Sequence, residues 1–306
     1  MRWVAKAALQ RGLGALPQGE RLNYVFQRRV LRSLPAGDAA LRRKFSRALQ
    51  HLGVYREHGP EVPPEEATFY EFGAGWDLAI PLAYALLGVG RQVLVDIRPS
   101  ARLELLNDSL ASFERLRPEL EAEAGSELRP LGGLLSSLHE LEPRFGIRYL
   151  APCDARSTGL DDGSIDFASS TDTCEHIPED DLAGIFRETR RLLPPGGAFS
   201  CRIDLQDHYA YFDRAISRYN FLRFSDGAWR LVNSPLHFQN RLRSPDYLRL
   251  VRDAGFELVS ETPSGPSEEA RAELRSLPLD ERFRGYDEDG LGVTVLSFVA
   301  RSPDPA

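Results

Sequence analysis

The chain is poor in cysteine, lysine and long apolar runs, and each shortage excludes something. Its three cysteines (Cys153, Cys174, Cys201) include no Cys-x-x-Cys spacing, which argues against a disulfide scaffold or a thiolate metal site and for reduced thiols in a cytoplasmic protein. Each falls in or beside an expected strand, as a small buried hydrophobe would. No stretch approaches the ~18 apolar residues of a membrane span, and Met1 to Gln10 lacks the apolar region of a secretory signal. Lysine occurs only at positions 6 and 44, and no Tyr-x-x-x-Lys pair is present. That disfavours a dinucleotide-dependent dehydrogenase or epimerase. No internal repeat is found.

At 306 residues the chain can form one large domain, or a domain with a cap, around a full core. The net charge of −7 conceals an asymmetry. Residues 1–51 hold eleven basic residues against Glu20 and Asp38, a local +9, so the remainder carries −16. The plain reading is a solvated basic helical cap over residues 1–66. The sharper reading is attraction to an anionic small molecule or, weakly, to an anionic membrane surface. Aromatics are too sparse in this segment for a nucleic-acid interface.

The most informative stretch is Thr68-Phe-Tyr-Glu-Phe-Gly-Ala-Gly-Trp-Asp77, followed by Val93-Leu-Val-Asp96. It reads as strand, glycine turn, helix, strand, acid: the first half of a nucleotide-binding α/β sheet. Gly73, Ala74 and Gly75 form a turn in which the backbone can pass close under a ligand. Asp96, 21 residues beyond Gly75, stands where an acid can accept both ribose hydroxyls, with Ile97 beside it. A dinucleotide fingerprint needs glycine or alanine at the position occupied by Leu78, and Glu71 would repel a phosphate. The pattern suits a nucleoside carrying an amino group.

These residues resemble the first motif of the class I S-adenosylmethionine-dependent methyltransferases, close to the small-molecule bacterial type 11 and 12 groups. Further matches follow in order: Ile147-Arg-Tyr-Leu-Ala-Pro-Cys-Asp154-Ala155, Leu160-Asp-Asp-Gly-Ser-Ile-Asp-Phe167, Thr171-Asp-Thr-Cys-Glu-His176-Ile177 and Leu192-Leu-Pro-Pro-Gly-Gly-Ala198. The resemblance implies a Rossmann-like, doubly wound seven-stranded α/β sheet with its last strand antiparallel, spanning residues 67–306, and S-adenosyl-L-methionine as cofactor. It assigns the cofactor side to Glu71, Gly73, Ala74, Gly75, Asp96, Ile97, Asp154, Ala155, Thr171 and His176, with Asp154 towards the adenine. This chain departs from the family at Asp77, where a third glycine is common.

Local patterns fit the same fold. Leu182, Ile185, Phe186, Thr189 and Leu193 recur at helical spacing behind Glu179, Asp180 and Asp181, which favour a helix N-terminus. A later helix opens at Ser244-Pro-Asp and stops at Gly255. Phe256–Ser260 and Val293–Ala300 read as closing strands, and residues 115–145 as an exposed insertion between the second and third strands.

The fifth strand, Ala198–Asp204, runs into residues 205–243, about 40 residues rich in aromatics, His, Asn and Arg and far longer than an ordinary connection. Such a segment covers substrate in many folds, although its aromatics can equally form a satellite core. His208 is the candidate general base, with Asp204 and Asp207 near enough to orient it. Tyr209, His237, Asn240 and Arg241 are candidates for positioning the acceptor. Asp204-x-x-Asp207-His208 is not read as a metal site, because neighbouring residues on an extended segment diverge. The expected reaction is O-methylation of a small molecule such as a sugar or a secondary-product intermediate. The alternative reading is a non-catalytic methyltransferase-like binding subunit, with a dinucleotide-dependent oxidoreductase or epimerase behind it; an aminopropyl transferase lacks a cluster of acids placed for a polyamine.

Overall fold

A computed structural model describes residues 2–14, 16, 19–29 and 34–303. Of the basic residues counted above, Arg32 lies outside them. Three helices lead the chain: α1 (Arg2–Gly14), α2 (Gly19–Arg29) and α3 (Asp38–His58). Strands and helices then alternate: β1 (Thr68–Phe72), α4 (Ala79–Leu86), β2 (Arg91–Val95), α5 (Leu103–Ala124), α6 (Leu141–Phe145), β3 (Ile147–Leu150), β4 (Phe167–Thr171), α7 (Glu179–Leu192) and β5 (Ala198–Asp204). After an insertion carrying α8 (Asp226–Val232) come α9 (Ser244–Asp253), β6 (Glu257–Pro263), α10 (Glu268–Ser276), α11 (Glu288–Gly292) and β7 (Val295–Arg301).

The seven strands form one sheet in the order β3-β2-β1-β4-β5-β7-β6. Five run parallel, and β7 runs antiparallel to both β5 and β6. The order reverses between β1 and β4, so the loops leaving their carboxyl ends diverge and open a crevice, where doubly wound sheets bind ligands.

Alternate residues of the central strands supply two cores, as strands covered on both faces must. Phe69, Leu94 and Phe167 pack with α3, α4 and α5 on one side. Tyr70, Phe72, Val93, Val95 and Phe199 pack with α7 and α9 on the other. The basic N-terminal segment therefore gives its third helix to the main core, through Leu41, Phe45, Ala48, Leu52 and Tyr55. Four of its charges are met by acids of the body: Arg28 with Asp108, Arg42 with Glu119, Lys44 with Asp77 and Arg47 with Asp172.

The expected exposed insertion over 115–145 is corrected. Residues up to 124 complete α5, whose Leu116 and Leu120 are buried, and Leu128, Leu131, Leu135 and Leu141 continue into the same core. The glutamates that suggested exposure occupy the outer face of an amphipathic helix. The insertion after β5 does build a core of its own: Tyr209, Tyr219, Phe221, Leu222 and Trp229 enclose Trp3 and Ala7 of α1 and Phe283 and Leu291 near the C-terminus. All three cysteines are free. Among the described residues no helix is long and apolar enough to cross a membrane.

His51 ties α3 to the sheet. Its imidazole is buried between Ser200 Oγ at 2.7 Å and Thr171 Oγ1 at 3.1 Å. Burial, reinforced by Arg202 and Arg47, pushes its pKa down to about 4. The unfolded chain therefore takes up a proton near the ordinary pH 6.5 that the folded chain refuses until about pH 4. The contribution to stability is intact above pH 6.5 and is lost as the pH falls towards 4. The expected loss is roughly 2.5 kcal/mol by pH 4.5, read as the difference in urea unfolding between the native chain and His51→Gln at pH 7 and pH 4.5. Equal losses in both proteins would contradict it.

Candidate active site

The glycine turn after β1 is built from left-handed backbone. Gly73 (φ 71°), Gly75 (φ 76°) and Leu78 (φ 45°) all have positive φ. At Gly73 a side chain is also sterically barred, since a Cβ there would lie 2.4 Å from Thr173 Cγ2. Asp77, the departure from the family pattern, does two jobs in the turn. Its Oδ1 accepts the Ala79 amide at 3.2 Å at the start of α4, and its carboxylate pairs with Lys44 Nζ at 2.6 Å. Edge-to-face packing of Tyr24 on Trp76, with centroids 5.6 Å apart, brings α2 onto the same loop.

Two adjoining cavities lie along the strand ends. One, of about 440 Å³, is lined by Asp96, Ile97, Asp154, Ala155, Thr173 and His176. The other, of about 540 Å³, is lined by Glu71, Gly73, Ala74, Gly75, Thr171 and His176 together with Lys44, Arg47 and His237. Every residue expected on the cofactor side thus lines one chamber or the other. Lys44, Arg47, Trp76, Asp172 and Phe238 join them without having been expected. Trp76 and Asp172 lie within the quoted motifs; for Lys44, Arg47 and Phe238 the sequence signal was the excess of basic residues at the N-terminus and the long segment after β5.

Electrostatics differ between the chambers. Glu71 is buried, its Oε2 has no hydrogen-bond partner, and burial pushes its pKa up to about 8 against the opposing pull of Lys44. Asp96 is also raised by burial, though it accepts the Arg98 amide at 3.1 Å. Asp154 is held below its usual range by the Arg156 guanidinium, 2.6 Å away. Asp172, at the end of β4, is gripped by Arg47 and Arg202.

Three histidines gather on the other side of the cleft. Ring centroids are 4.9 Å apart for His176 and His208, 5.7 Å for His208 and His237, and 6.1 Å for His176 and His237. His176 donates Nδ1–H to the Phe238 carbonyl at 2.7 Å. Burial, then the neighbouring His208, holds it below the ordinary range, although its edge opens onto the cleft. Burial likewise drives His237 down to about 3. His208 Nε2 lies 3.6 Å from Asp204 Oδ2, in ion-pair range but too far for a good hydrogen bond. The Asp204 carboxylate accepts Tyr211 Oη–H at 2.5 Å and the Gln206 amide at 3.1 Å. Burial alone would raise Asp204, yet His208, Tyr211 and Gln206 bring it below its usual value.

Several residues expected at the acceptor are used elsewhere. Tyr209 is buried and donates its hydroxyl to the Val232 carbonyl at 2.8 Å. Arg241 is buried against the Phe221 and Phe224 carbonyls and Asp226. Asp207, expected to orient His208, instead accepts from Asn220 Nδ2 and the Tyr209 amide. Asn240 donates from Nδ2 to the Cys174 and Ile177 carbonyls, both at 2.8 Å, and so fixes the loop that carries His176.

The sequence profile of a methyltransferase-domain family matches residues 38–261, and the chain belongs to that family. It is an S-adenosylmethionine-dependent methyltransferase. No curated protein sequence matches it. Solved structures with a similar fold include a candidate sarcosine dimethylglycine methyltransferase from Galdieria sulphuraria, 18% identical over 87% of this chain and 88% of that one, with a TM-score of 0.46. A methyltransferase from Methanosarcina mazei is 15% identical over 82% and 98%, with a TM-score of 0.44. Geranyl diphosphate C-methyltransferase from Streptomyces coelicolor A3(2), solved with Mg²⁺, geranyl diphosphate and S-adenosyl-L-homocysteine, is 13% identical over 88% and 86%, with a TM-score of 0.46.

The cleft suits this cofactor. A buried, unanswered carboxyl at Glu71 awaits a cationic partner, and Asp96 faces a cavity where a ribose would lie. Glu71 would meet the ammonium of the amino-acid end, Asp96 the ribose and Asp154 the adenine side. On this assignment, Glu71 is mostly protonated at pH 7 and loses its proton when the ammonium arrives. Calorimetry with S-adenosylhomocysteine in buffers of different ionisation enthalpy should show close to one proton released per ligand at pH 7, vanishing in Glu71→Gln. Asp96→Ala should weaken binding by roughly 3 kcal/mol, about 100-fold; unchanged affinity would remove Asp96 from the ribose site.

Proposed function

We propose that the chain methylates a hydroxyl oxygen of a small molecule held between the glycine turn, the histidine cluster and α3. The observation that carries this reading is His208 set beside the Asp204 carboxylate, close to His176 on the cleft wall. Bound S-adenosylmethionine supplies an activated methyl group on a sulfonium, so the protein's task is alignment and removal of the acceptor's proton. His208 is suited to take that proton, and Asp204 to stabilise the imidazolium that results. Tyr211 and Gln206 keep Asp204 in place.

An anionic acceptor would compete with Asp77 and Asp172 for the cations of α3. Lys44 and Arg47 line the cleft. Lys6 lies over the Phe212 ring at 4.8 Å and is near enough to His237 to help keep it neutral. A carboxylated or phosphorylated sugar, or an acidic secondary-product intermediate, carries the charge for that competition.

The test is formation of S-adenosylhomocysteine with a panel of neutral and anionic hydroxylated acceptors. Anionic acceptors should give the lower KM. His208→Ala should lower kcat by about 10²- to 10⁴-fold, the usual worth of a positioned base, while S-adenosylhomocysteine affinity is spared. Full turnover in that variant would remove His208 from the reaction.

A further inference from the structure

A single base does not use all that the histidine side of the cleft presents. Glu175, His176, His208 and His237 come from three separate stretches of chain and set a carboxyl and three imidazoles side by side, with His208 Nε2 also 3.6 Å from Asp204 Oδ2. Glu175 Oε2 is buried without a partner, and its other oxygen receives the Asp204 amide at 3.4 Å. His176 commits Nδ1–H to Phe238, which leaves Nε2 as its lone-pair nitrogen. His208 Nε2 and His237 Nε2 are both buried and make no hydrogen bond. One donor atom from each of Glu175, His176 and His208 lies within 4.8 Å of the others.

An unanswered buried acceptor costs about 1–3 kcal/mol, and several in one place call for a ligand. The nearby guanidiniums of Arg47 and Arg202 are engaged by Asp172. Two imidazoles and a carboxylate converging on one point form a donor set that suits a borderline divalent metal ion.

We propose that Glu175, His176 and His208 bind a divalent first-row transition metal of the zinc, iron(II) or cobalt class, with His237 at its edge. Metal–nitrogen bonds of about 2.0–2.1 Å place tetrahedral donors about 3.4 Å apart, so small side-chain rotations close the site. His176 and His237 line the cleft, so the remaining coordination positions face the acceptor. The inference rests on the methyl-transfer reading and changes its acid–base step. The acceptor oxygen binds the metal, which makes its O–H more acidic. With the acceptor's proton released to solvent in the cleft, the new O–CH₃ bond would form as the S–CH₃ bond breaks to leave a neutral thioether. His208 then holds the metal rather than the proton.

A cobalt(II) titration of the full, tag-free chain tests this, after treatment with a chelator and exchange into metal-free buffer. One Co²⁺ should bind per chain, with visible ligand-field absorption stronger than that of the aqueous ion. His176→Ala, His208→Ala and Glu175→Gln should each weaken binding at least about 100-fold, the upper end of what losing even an outer partner costs. Retained S-adenosylhomocysteine affinity in His208→Ala shows that the fold survives. Lack of the bands in the native chain, or equal bands in all three variants, overturns the proposal. Turnover that falls on chelation and returns with cobalt supports it. Turnover indifferent to chelation but lost in His208→Ala overturns the metal and leaves the base reading standing, whereas failure of every acceptor with cobalt still bound would count against the methyl-transfer reading alone.

Discussion

One stripe of α3 holds the cleft together. Lys44, Arg47 and His51 recur at three- and four-residue spacing, so they share a face of the helix. Lys44 grips Asp77 in the β1–α4 turn, Arg47 grips Asp172 beyond β4, and His51 reaches Thr171 and Ser200 on β4 and β5. Leu41, Phe45, Ala48, Leu52 and Tyr55 of the same helix enter the core. Apolar burial sets the position of the helix, at about 25 cal/mol per Å². The polar stripe turns that position into loop geometry. Exposed ion pairs are worth little, but these are part-buried, and each spans a loop to a packed element.

That stripe also divides the charge of the cleft. Asp96 and Asp154 line one chamber, and Glu71 lines the other beside Lys44 and Arg47. Lys44 and Arg47 stand at the boundary, and imidazoles kept neutral by burial lie beyond. Asp77 keeps Lys44 from neutralising Glu71 outright. Had the third glycine of the family pattern been present at this position, Lys44 would have been free to turn towards Glu71, and the site's affinity for a cationic ligand would fall. The departure from the motif and Lys44 are therefore two halves of a single arrangement.

The sheet and the residues at its strand ends that line the cleft were legible because they depend on local signals. A glycine turn after a short strand, acids at strand ends and a Pro-Pro-Gly-Gly stop each declare themselves within a few residues, and they recur in a fixed order. The acceptor side was legible only in outline. Counting the N-terminal charges showed an excess, but the spacing of 44, 47 and 51 has no meaning until the loops they reach are placed. Arg241 and Tyr209 looked like substrate contacts because polar residues in a long loop usually face solvent or ligand. Here the loop has its own core, and its polar groups are needed to satisfy buried carbonyls. The glutamates of 115–124 misled for the opposite reason: they cover the outside of a helix whose leucines are buried.

Asn240 shows how the insertion braces the loop beside the cleft. Its side chain and amide make five hydrogen bonds, to the carbonyls of Cys174, Glu175 and Ile177 and from Leu242 N and Tyr247 Oη. Three of them clamp the loop that carries Glu175 and His176. The neighbouring Phe238 carbonyl sets the tautomer of His176, and Gln239 binds the Gln206 carbonyl at 2.5 Å and the His208 amide at 3.3 Å. Residues 238–240 thus join the two stretches that bear His176 and His208, and His237 is the next residue along. A cluster gathered from such distant positions cannot be preorganised by β4 or β5 alone. It exists only when the insertion is folded over the sheet, so the same packing that closes the acceptor side also assembles the groups that would act there.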